Sequence, residues 1–361
     1  MRSLTHHILR TRPIPPRNPR PPSRSLHPLR LFSTTFPLQS SPTIPYTPAC
    51  PPSTCSCTPT PPGLDIDHKS PLLHTMPFYT SHVVVSTGKQ DWTNRIEDEE
   101  TPAGDFIRGL KGVVGRGGEM FDPFNNILIS ASSFPSTTAT TTPQTILHLF
   151  PHFLSLALPT PSTPLLKTLT SSLLAAPTLH PMHNSLPAQA QTLLTRNPSL
   201  ITTLPTPPSP LKTPTILICS HNTRDTRCGV LGPLLATEFE SVLARTDIDA
   251  QVGMISHIGG HKFAGNVIVY IPPGWRDEDG SESGVAGMGI WYGRVGVENV
   301  EGLVRETLQR GRVVGELLRG GIVADRDGKG GAASLAGMVE EQVARERGED
   351  GGLRLKARAR R

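Results

Sequence analysis

Proline falls into blocks along this chain, and the blocks limit where regular helices and strands can form. Of its 38 prolines, sixteen lie in residues 1–64 and fifteen in residues 135–214, whereas the last 146 residues hold only three. Because proline removes a backbone donor and interrupts helices, we expect the best-ordered unit to begin near Thr215. The longest apolar stretch, residues 146–159, is shorter than the roughly twenty residues that a membrane-spanning helix needs, so no membrane span is predicted.

The positive charge of the chain is concentrated at its N-terminus. The formal net charge is +5, but residues 1–64 contain seven arginines and no Asp or Glu, so the remainder carries −2. A leader rich in Arg and Ser without acidic residues is typical of an organellar transit peptide. Arg30-Leu31-Phe32-Ser33 also resembles a mitochondrial processing site. We therefore predict a presequence over residues 1–32 and a mitochondrial protein, in the matrix or the intermembrane space; the alternative is a merely disordered basic tail. The nearly neutral remainder indicates no nucleic-acid partner.

The region that follows the leader divides by composition. Residues 33–64 are a Pro/Ser-rich linker that contains Cys50, Cys55 and Cys57. Residues 65–212 are predicted to form an N-terminal α/β domain that is smaller or less regular than the next one, with strands at 82–86 and 126–130 that share one sheet. From residue 135 onward, its Thr/Ser/Pro texture predicts short helices joined by proline-rich loops, partly of low complexity.

The C-terminal part alternates strands and helices. Residues 215–219, 251–256, 266–271 and 289–295 are predicted strands, and apolar residues at helical spacing predict helices after the first and the last of them. The order β-α-β-β-β-α is that of a small α/β domain of thioredoxin type, which we place at residues 213–325. Residues 326–361 are predicted to be a disordered basic tail.

Two pairs of possible metal ligands lie in the loops of this domain. Cys219 and Cys228 are separated by eight residues, and His257 and His261 by three. Both pairs follow strand ends, so adjacent strands bring all four side chains together. Gly259 and Gly260 lie between the two imidazoles, where a backbone without Cβ can adopt positive φ or approach a bulky group. The alternative is that the histidines are ordinary loop residues and the cysteines small buried hydrophobes.

Two kinds of metal site are compatible with these ligands. Zinc accepts two Cys and two His ligands, but structural zinc sites usually place their cysteines two to four residues apart. A [2Fe-2S] cluster tolerates the wider Cys219–Cys228 loop, because each iron needs only one pair of protein ligands. The spacing favours the cluster.

Several blocks of the sequence resemble the sucrase/ferredoxin-like family. They are Cys219-Ser220-His221, Arg224-Asp225, Arg227-Cys228-Gly229, the run from His257 to Asn266, Trp291-Tyr292-Gly293-Arg294-Val295, Pro61-Pro62-Gly63-Leu64 with Asp65, His68 and Lys69, and Thr87-Gly88-Lys89 with Asp91-Trp92. The resemblance implies a thioredoxin-like ferredoxin domain in which a His-x₃-His pair replaces the second pair of cysteines. It further implies a [2Fe-2S] cluster on Cys219, Cys228, His257 and His261, and a role in redox homeostasis.

Three residues near these ligands are candidates for tuning the site. His221, Arg224 and Arg227 can supply hydrogen bonds or positive charge to the ligands, or can pair with Asp225 and solvent instead. Cys50, Cys55 and Cys57 lack the spacing of a second ferredoxin motif, so a second cluster is not predicted. A redox-active thiol pair, a weak metal site and ordinary exposed thiols all remain open for them.

We therefore expect a mitochondrial electron carrier or redox sensor that works with a redox protein partner, rather than an enzyme with its own substrate. The first alternative is a thiol-disulfide oxidoreductase that uses Cys219 and Cys228, although Cys-x-x-Cys spacing is absent. The second is a zinc-stabilised interaction module. No motif marks a carboxylate pair for glycoside hydrolysis, a phosphate-binding loop or a catalytic triad.

Overall fold

A long mixed β-sheet is the central feature of the structure, a computed structural model that describes residues 44–54, 57–136, 144–323 and 333–346. Its strands are β1 (Tyr46–Thr47), β2 (Ser81–Ser86), β3 (Ile127–Ser132), β4 (Thr145–Phe150), β5 (Leu154–Leu158), β6 (Ser209–Pro210), β7 (Thr215–Cys219), β8 (Gln251–Ile255), β9 (Val267–Tyr270), β10 (Met288–Tyr292), β11 (Val313–Val314), β12 (Leu318–Val323) and β13 (Ala333–Ser334). The α-helices are α1 (Pro102–Val114), α2 (Thr163–Leu169), α3 (Ala188–Leu194), α4 (Thr226–Thr246), α5 (Val300–Leu303) and α6 (Leu335–Glu346). Short π-helical turns continue α2 over Thr170–Leu174 and α5 over Val304–Gln309.

Eleven of these strands form one sheet in the order β13-β12-β10-β9-β7-β8-β3-β2-β4-β5-β6, and β1 pairs with β11 in a separate ladder. The parallel pairs of the large sheet are β2 with β3 and β7 with β8, each joined by a crossover helix, α1 or α4. Within the described residues, no helix is long and apolar enough to cross a membrane.

The sheet consists of two halves with the same order of elements. The N-terminal half contains the run β2-α1-β3-β4-β5-α2 and the C-terminal half the run β7-α4-β8-β9-β10-α5, and a π-helical turn directly follows α2 and α5. In both, the third strand pairs antiparallel with the first and the fourth pairs with the third. The N-terminal half therefore repeats the topology of the half that carries the candidate ligands.

The halves meet at the carboxyl ends of β3 and β8, where Ser132 pairs antiparallel with Ile255. The bonds on either side of this pair mirror one another. Ser133 donates its N–H to Met254 O at 2.8 Å and accepts the Met254 N–H on Oγ at 2.9 Å; Ser256 does the same with Ala131 at 2.9 and 3.0 Å. The loops that follow the first strands of the two halves consequently face each other.

The two crossover helices form where the sequence supplies a cap and an apolar face. Thr101 accepts the Gly104 N–H at the start of α1, and Asp225 accepts the Arg227 N–H at the start of α4. Phe106 of α1 and Phe239 of α4 are buried against the sheet. The cap of α4 fixes the first turn of that helix, which contains Cys228.

The α/β fold predicted from the sequence is confirmed, and the C-terminal half has the predicted order β-α-β-β-β-α. The predicted strands at 82–86 and 126–130 share one sheet as β2 and β3. The structure differs from the sequence analysis in two details. Residues 145–158 form the hairpin β4–β5 where short helices and loops were expected, whereas the segment that follows does contain the short helices α2 and α3. Part of the predicted disordered tail forms β13 and α6, whose Leu335 is fully buried.

One sheet runs through both predicted domains, and the boundaries at residues 64, 212 and 325 stay predictions. The predicted presequence over residues 1–32 lies outside the described residues, as do Cys55 and residues 347–361 of the tail.

Candidate metal centre

The two cysteines of the candidate site lie side by side. Cys219 is the last residue of β7, and Cys228 lies in the first turn of α4, which follows the loop after β7. Both are buried and neither forms a disulfide. The structure thus brings together the pair that the sequence singled out, despite the eight residues between them.

Because the two thiols are in contact, their pKa values shift in opposite directions. The hydrogen bond from Cys228 lowers the pKa of Cys219 well below that of an ordinary thiol, and contact with His257 acts in the same direction. The same interaction, together with burial, raises the pKa of Cys228. One thiolate therefore forms readily at this site, and the second requires an additional positive charge such as a metal.

The two histidines occupy the loop after β8, the parallel neighbour of β7. Their ring centroids are 5.4 Å apart; His257 is half-buried and His261 is exposed. Nδ1 of His257 is buried and has no hydrogen-bond partner in the described part of the chain. Since buried polar atoms are nearly always paired, this nitrogen is available to a ligand.

The glycines between the histidines have the conformations that their position suggested. Gly259 and Gly260 have φ of 87° and 75°, in the left-handed region that favours glycine. A Cβ on Gly260 would also lie 2.3 Å from Nη2 of Arg319. The turn that presents His261 beside His257 thus depends on glycine at this position.

The four side chains do not form a ready-made site for a single ion. Among the residues that the structure describes, no three His, Cys, Asp or Glu side chains are grouped closely enough to hold one metal ion. The site consists instead of a cysteine pair and a histidine pair on adjacent loops.

Of the three predicted tuning residues, His221 forms a hydrogen bond with a ligand residue. It is buried, and its Nδ1 accepts the backbone N–H of His257 at 3.0 Å. Arg224 is exposed and donates to Asn94. Arg227 pairs with the carboxylate of Asp225 at 2.8 Å and lowers its pKa.

The N-terminal half contributes a loop that packs on the cysteine loop, and sequence reasoning assigned no role to it. Asp91 accepts from Thr223 Oγ1 at 2.9 Å, and Gln90 O accepts from Ser220 Oγ at 2.9 Å. Trp92 is buried with its ring edge-on to His221, at a centroid distance of 5.7 Å. The only sequence signal was the Asp91-Trp92 block among the blocks that resemble the family.

Cys50 of the N-terminal segment lies beside α5. Cys50 donates its thiol to Asn299 O at 3.4 Å, and burial raises its pKa to about 11. Its backbone N–H donates to Glu316, and Thr60 farther along the segment donates to Glu298. Cys50 is therefore a protonated, structurally engaged thiol, and Cys57 is half-buried.

The sequence between the N-terminal loops and β12 matches a known protein family. The model of the family described as "Sucrase/ferredoxin-like" matches residues 72–320, about two thirds of the chain. The chain belongs to the sucrase/ferredoxin-like family. The match begins before β2 and includes both halves of the sheet, so the predicted family membership is confirmed.

Fungal relatives named "Altered inheritance of mitochondria protein 32" are similar to part of this chain. The protein of Clavispora lusitaniae is 46% identical over 115 residues, which are 31% of this chain and 36% of that protein. Those of Meyerozyma guilliermondii and Debaryomyces hansenii are 43% and 45% identical over 29% of this chain, and the matches cover 33% and 34% of their own lengths. The chain thus matches about a third of each relative. Their shared name points to a mitochondrial protein, in agreement with the predicted localisation. No solved structure matches.

Proposed function

We propose that this member of the sucrase/ferredoxin-like family binds a [2Fe-2S] cluster through Cys219, Cys228, His257 and His261 and serves as an electron carrier or redox sensor in mitochondria. The observation that carries the proposal is the buried, unpartnered Nδ1 of His257 beside a buried cysteine pair of which one thiol ionises readily. Nitrogen and thiolate ligands of this kind are what iron-sulfur and zinc sites use.

The arrangement of the ligands favours a two-iron cluster over a single zinc ion. A lone tetrahedral ion requires four ligands around one point, whereas in a two-iron cluster each iron takes one pair. Among the described residues, no three such side chains are grouped closely enough to hold one metal ion, and in the chain the candidate ligands are one cysteine pair and one histidine pair. The loop from Cys219 to Cys228 is also longer than structural zinc sites usually have.

Ligation by two imidazoles has a consequence for the charge of the site. An oxidised [2Fe-2S] core carries +2, so two thiolates and two neutral imidazoles bring the site to zero, whereas four thiolates would bring it to −2. Adding one electron is easier at the neutral site, and His₂ ligation in Rieske centres accordingly gives potentials of roughly −150 to +300 mV against about −400 mV for plant-type ferredoxins. The imidazoles also couple electron transfer to pH.

A thiol-disulfide oxidoreductase is a second candidate, because Cys219 and Cys228 are in contact and the pKa of Cys219 is lowered. Thiol exchange, however, requires access of a partner disulfide to the attacking sulfur. Cys219 is 2% exposed and Cys228 is fully buried. The burial favours a bound cofactor over an exchanging dithiol.

The decisive experiment is anaerobic purification of the full chain, followed by an absorption spectrum and assays for iron, sulfide and zinc. We expect two irons and two sulfides per chain and visible bands that bleach on reduction. A colourless protein with one zinc would establish the interaction module instead. A metal-free protein with a reducible Cys219–Cys228 bond would establish the oxidoreductase.

Replacing each histidine by cysteine tests the ligand assignment. His257→Cys and His261→Cys should each retain a cluster, with a lower potential and a weaker pH dependence, because a thiolate adds negative charge and removes a titrating imidazole. His68→Cys is the matched control, since His68 is exposed and outside the ligand set. Potentials equal to that of the control would reject His257 and His261 as ligands.

A further inference from the structure

A buried guanidinium lies behind the histidine loop, and all its hydrogen-bond acceptors are neutral. Arg319 of β12 is 1% exposed. Its Nη1 donates to Gly259 O at 3.1 Å and to Asn266 Oδ1 at 2.7 Å; Nε and Nη2 donate to Oγ1 and O of Thr75 at 3.0 and 2.7 Å. The described residues give Arg319 no ion pair with a carboxylate.

A buried charge without a counter-charge is energetically costly, so proteins pair buried charges or neutralise them. Burial lowers the pKa of Arg319 to about 10, which leaves the guanidinium charged at neutral pH. A fixed positive charge in this position indicates that negative charge is present nearby in the working protein. Thiolates at Cys219 and Cys228 supply negative charge of this kind, and it favours the charged form of Arg319.

The hydrogen bonds of Arg319 connect it to both ligand loops. Gly260, between the two histidines, lies directly on the guanidinium, where a Cβ would clash with Nη2. Asn266, which accepts from Arg319, donates from Nδ2 to Gly260 O at 3.1 Å and accepts the backbone N–H of Cys219 on its own carbonyl at 3.0 Å. Arg319 thus contacts the histidine loop directly at Gly259, and a single residue, Asn266, connects it to Cys219.

We propose that Arg319 is the fixed counter-charge of the cluster and favours its reduced form. This inference rests on the proposed function. The oxidised site, with a +2 core, two thiolates and two neutral imidazoles, has zero charge, and one electron from a one-electron donor brings it to −1. The fixed positive charge of the guanidinium then balances the added negative charge of the reduced site. A zinc ion with the same ligands has zero charge and accepts no electron, so Arg319 would have no corresponding effect there.

The test compares reduction potentials of the full-length protein and variants by spectroelectrochemical titration. Arg319→Gln removes the charge and retains an amide donor, whereas Arg319→Lys retains the charge and loses the planar fork. We expect Arg319→Gln to lower the equilibrium constant for reduction at least tenfold, which is 59 mV for one electron. Arg319→Lys should remain within threefold of the wild type.

Arg294→Gln is the matched control. Like Arg319, Arg294 lies over the Phe263 ring, at 5.1 Å against 5.8 Å, and donates to backbone carbonyls, those of Asp67 and Ser70. Its side chain forms no hydrogen bond with Asn266 or Gly259 in the described structure. Its replacement should leave the potential within threefold of the wild type.

The outcomes separate this inference from the proposed function. A wild-type protein without iron and sulfide overturns both. A wild-type cluster whose potential is unchanged in Arg319→Gln, or shifts equally in Arg319→Gln and Arg319→Lys, overturns the inference alone, because a purely positioning residue would be disturbed by either change. If Arg319→Gln takes up no cluster, Arg319→Lys decides: loading at the wild-type potential supports the counter-charge, and failure to load overturns it.

Discussion

A single imidazole connects the two halves of the protein at the candidate site. Nε2 of His221 donates to the carbonyls of Trp92 and Thr93, each at 3.0 Å, and Nδ1 accepts the backbone N–H of His257. This set of partners requires the neutral ring with its proton on Nε2. His221 therefore holds the N-terminal loop and the histidine loop in fixed relation through hydrogen bonds made by a buried ring.

Replacing His221 by Phe should destabilise the protein and, with it, the proposed cluster. The aromatic ring retains the edge contact with Trp92, but the N–H of His257 and two carbonyls lose their partner, and a buried unpaired group costs about 1–3 kcal/mol. We expect the free energy of unfolding of the metal-free protein, measured with urea, to fall by about 2 kcal/mol or more. If the proposed cluster is bound, its loss from the loaded protein should accelerate. His221→Gln, which keeps a donor, should lose less; a Phe variant as stable as the wild type would contradict this account.

The packing of α4 on β7 determines how close Cys228 comes to Cys219. The helix passes the end of the strand at Gly232, where a Cβ would lie 2.4 Å from Cβ and 2.7 Å from Cα of Ser220, and 3.0 Å from Cys219 O. Because two of these three atoms belong to the backbone, the helix must move outward to accept a side chain. The close approach of the two cysteines thus depends on a glycine one turn beyond Cys228.

Gly232→Ala should therefore destabilise the protein, although alanine is the better helix former by about 1 kcal/mol. Overpacking of a fixed backbone costs typically 1–3 kcal/mol, so we expect a net loss of about 1 kcal/mol or more in the free energy of unfolding. Gly112→Ala in α1 is the matched control, because nothing lies within 4 Å of its Cβ position, and it should stabilise the protein. Equal effects at the two positions would show that α4 yields without strain.

The sequence predicts some elements better than others for a physical reason. The strands and helices of the C-terminal half are apolar runs with few prolines, so the spacing of their apolar residues predicts each element. The hairpin β4–β5 was missed because Pro143, Pro151 and Pro159 flank its two strands, and prolines just outside strands end them without breaking them. Helix α6 was missed because charged and glycine-rich sequence surrounds its short apolar face.

The candidate ligands could be predicted from their residue types and spacing, since both pairs are local in the chain. The residues that support them could not. His221 and Trp92 are 129 positions apart, and Arg319 and Gly259 are 60 apart. Such contacts arise where the two halves meet and where β12 lies in the sheet. Local patterns in a single sequence do not predict either arrangement.

Buried neutral histidines make the whole molecule sensitive to acid. His82 of β2 bridges Ser130 at 2.7 Å and Tyr270 of the C-terminal half at 2.9 Å, and Tyr270 in turn contacts Tyr79 at 2.8 Å. Burial lowers the pKa of His82 to about 3. It also lowers those of His148 and His152 to about 4, the latter with help from Arg196. Because His82 lies between the halves, its protonation would disturb both.

The stability of the protein should consequently fall as the pH decreases from 7 to 5. An unfolded histidine has a pKa near 6.5 and binds a proton in this window, whereas the three folded ones remain neutral until about pH 4 or 3. At pH 5 each lowers the free energy of unfolding by about 2 kcal/mol relative to its value well above pH 6.5. Carboxylates, whose unfolded pKa values are near 4, titrate mostly below this window.

Urea unfolding of metal-free protein at pH 7 and pH 5 measures the difference. His82→Gln should be less stable at pH 7 yet lose about 2 kcal/mol less on acidification, while the exposed-site control His68→Gln should lose as much as the wild type. An equal loss in all three proteins would show that His82 is protonated in the folded state.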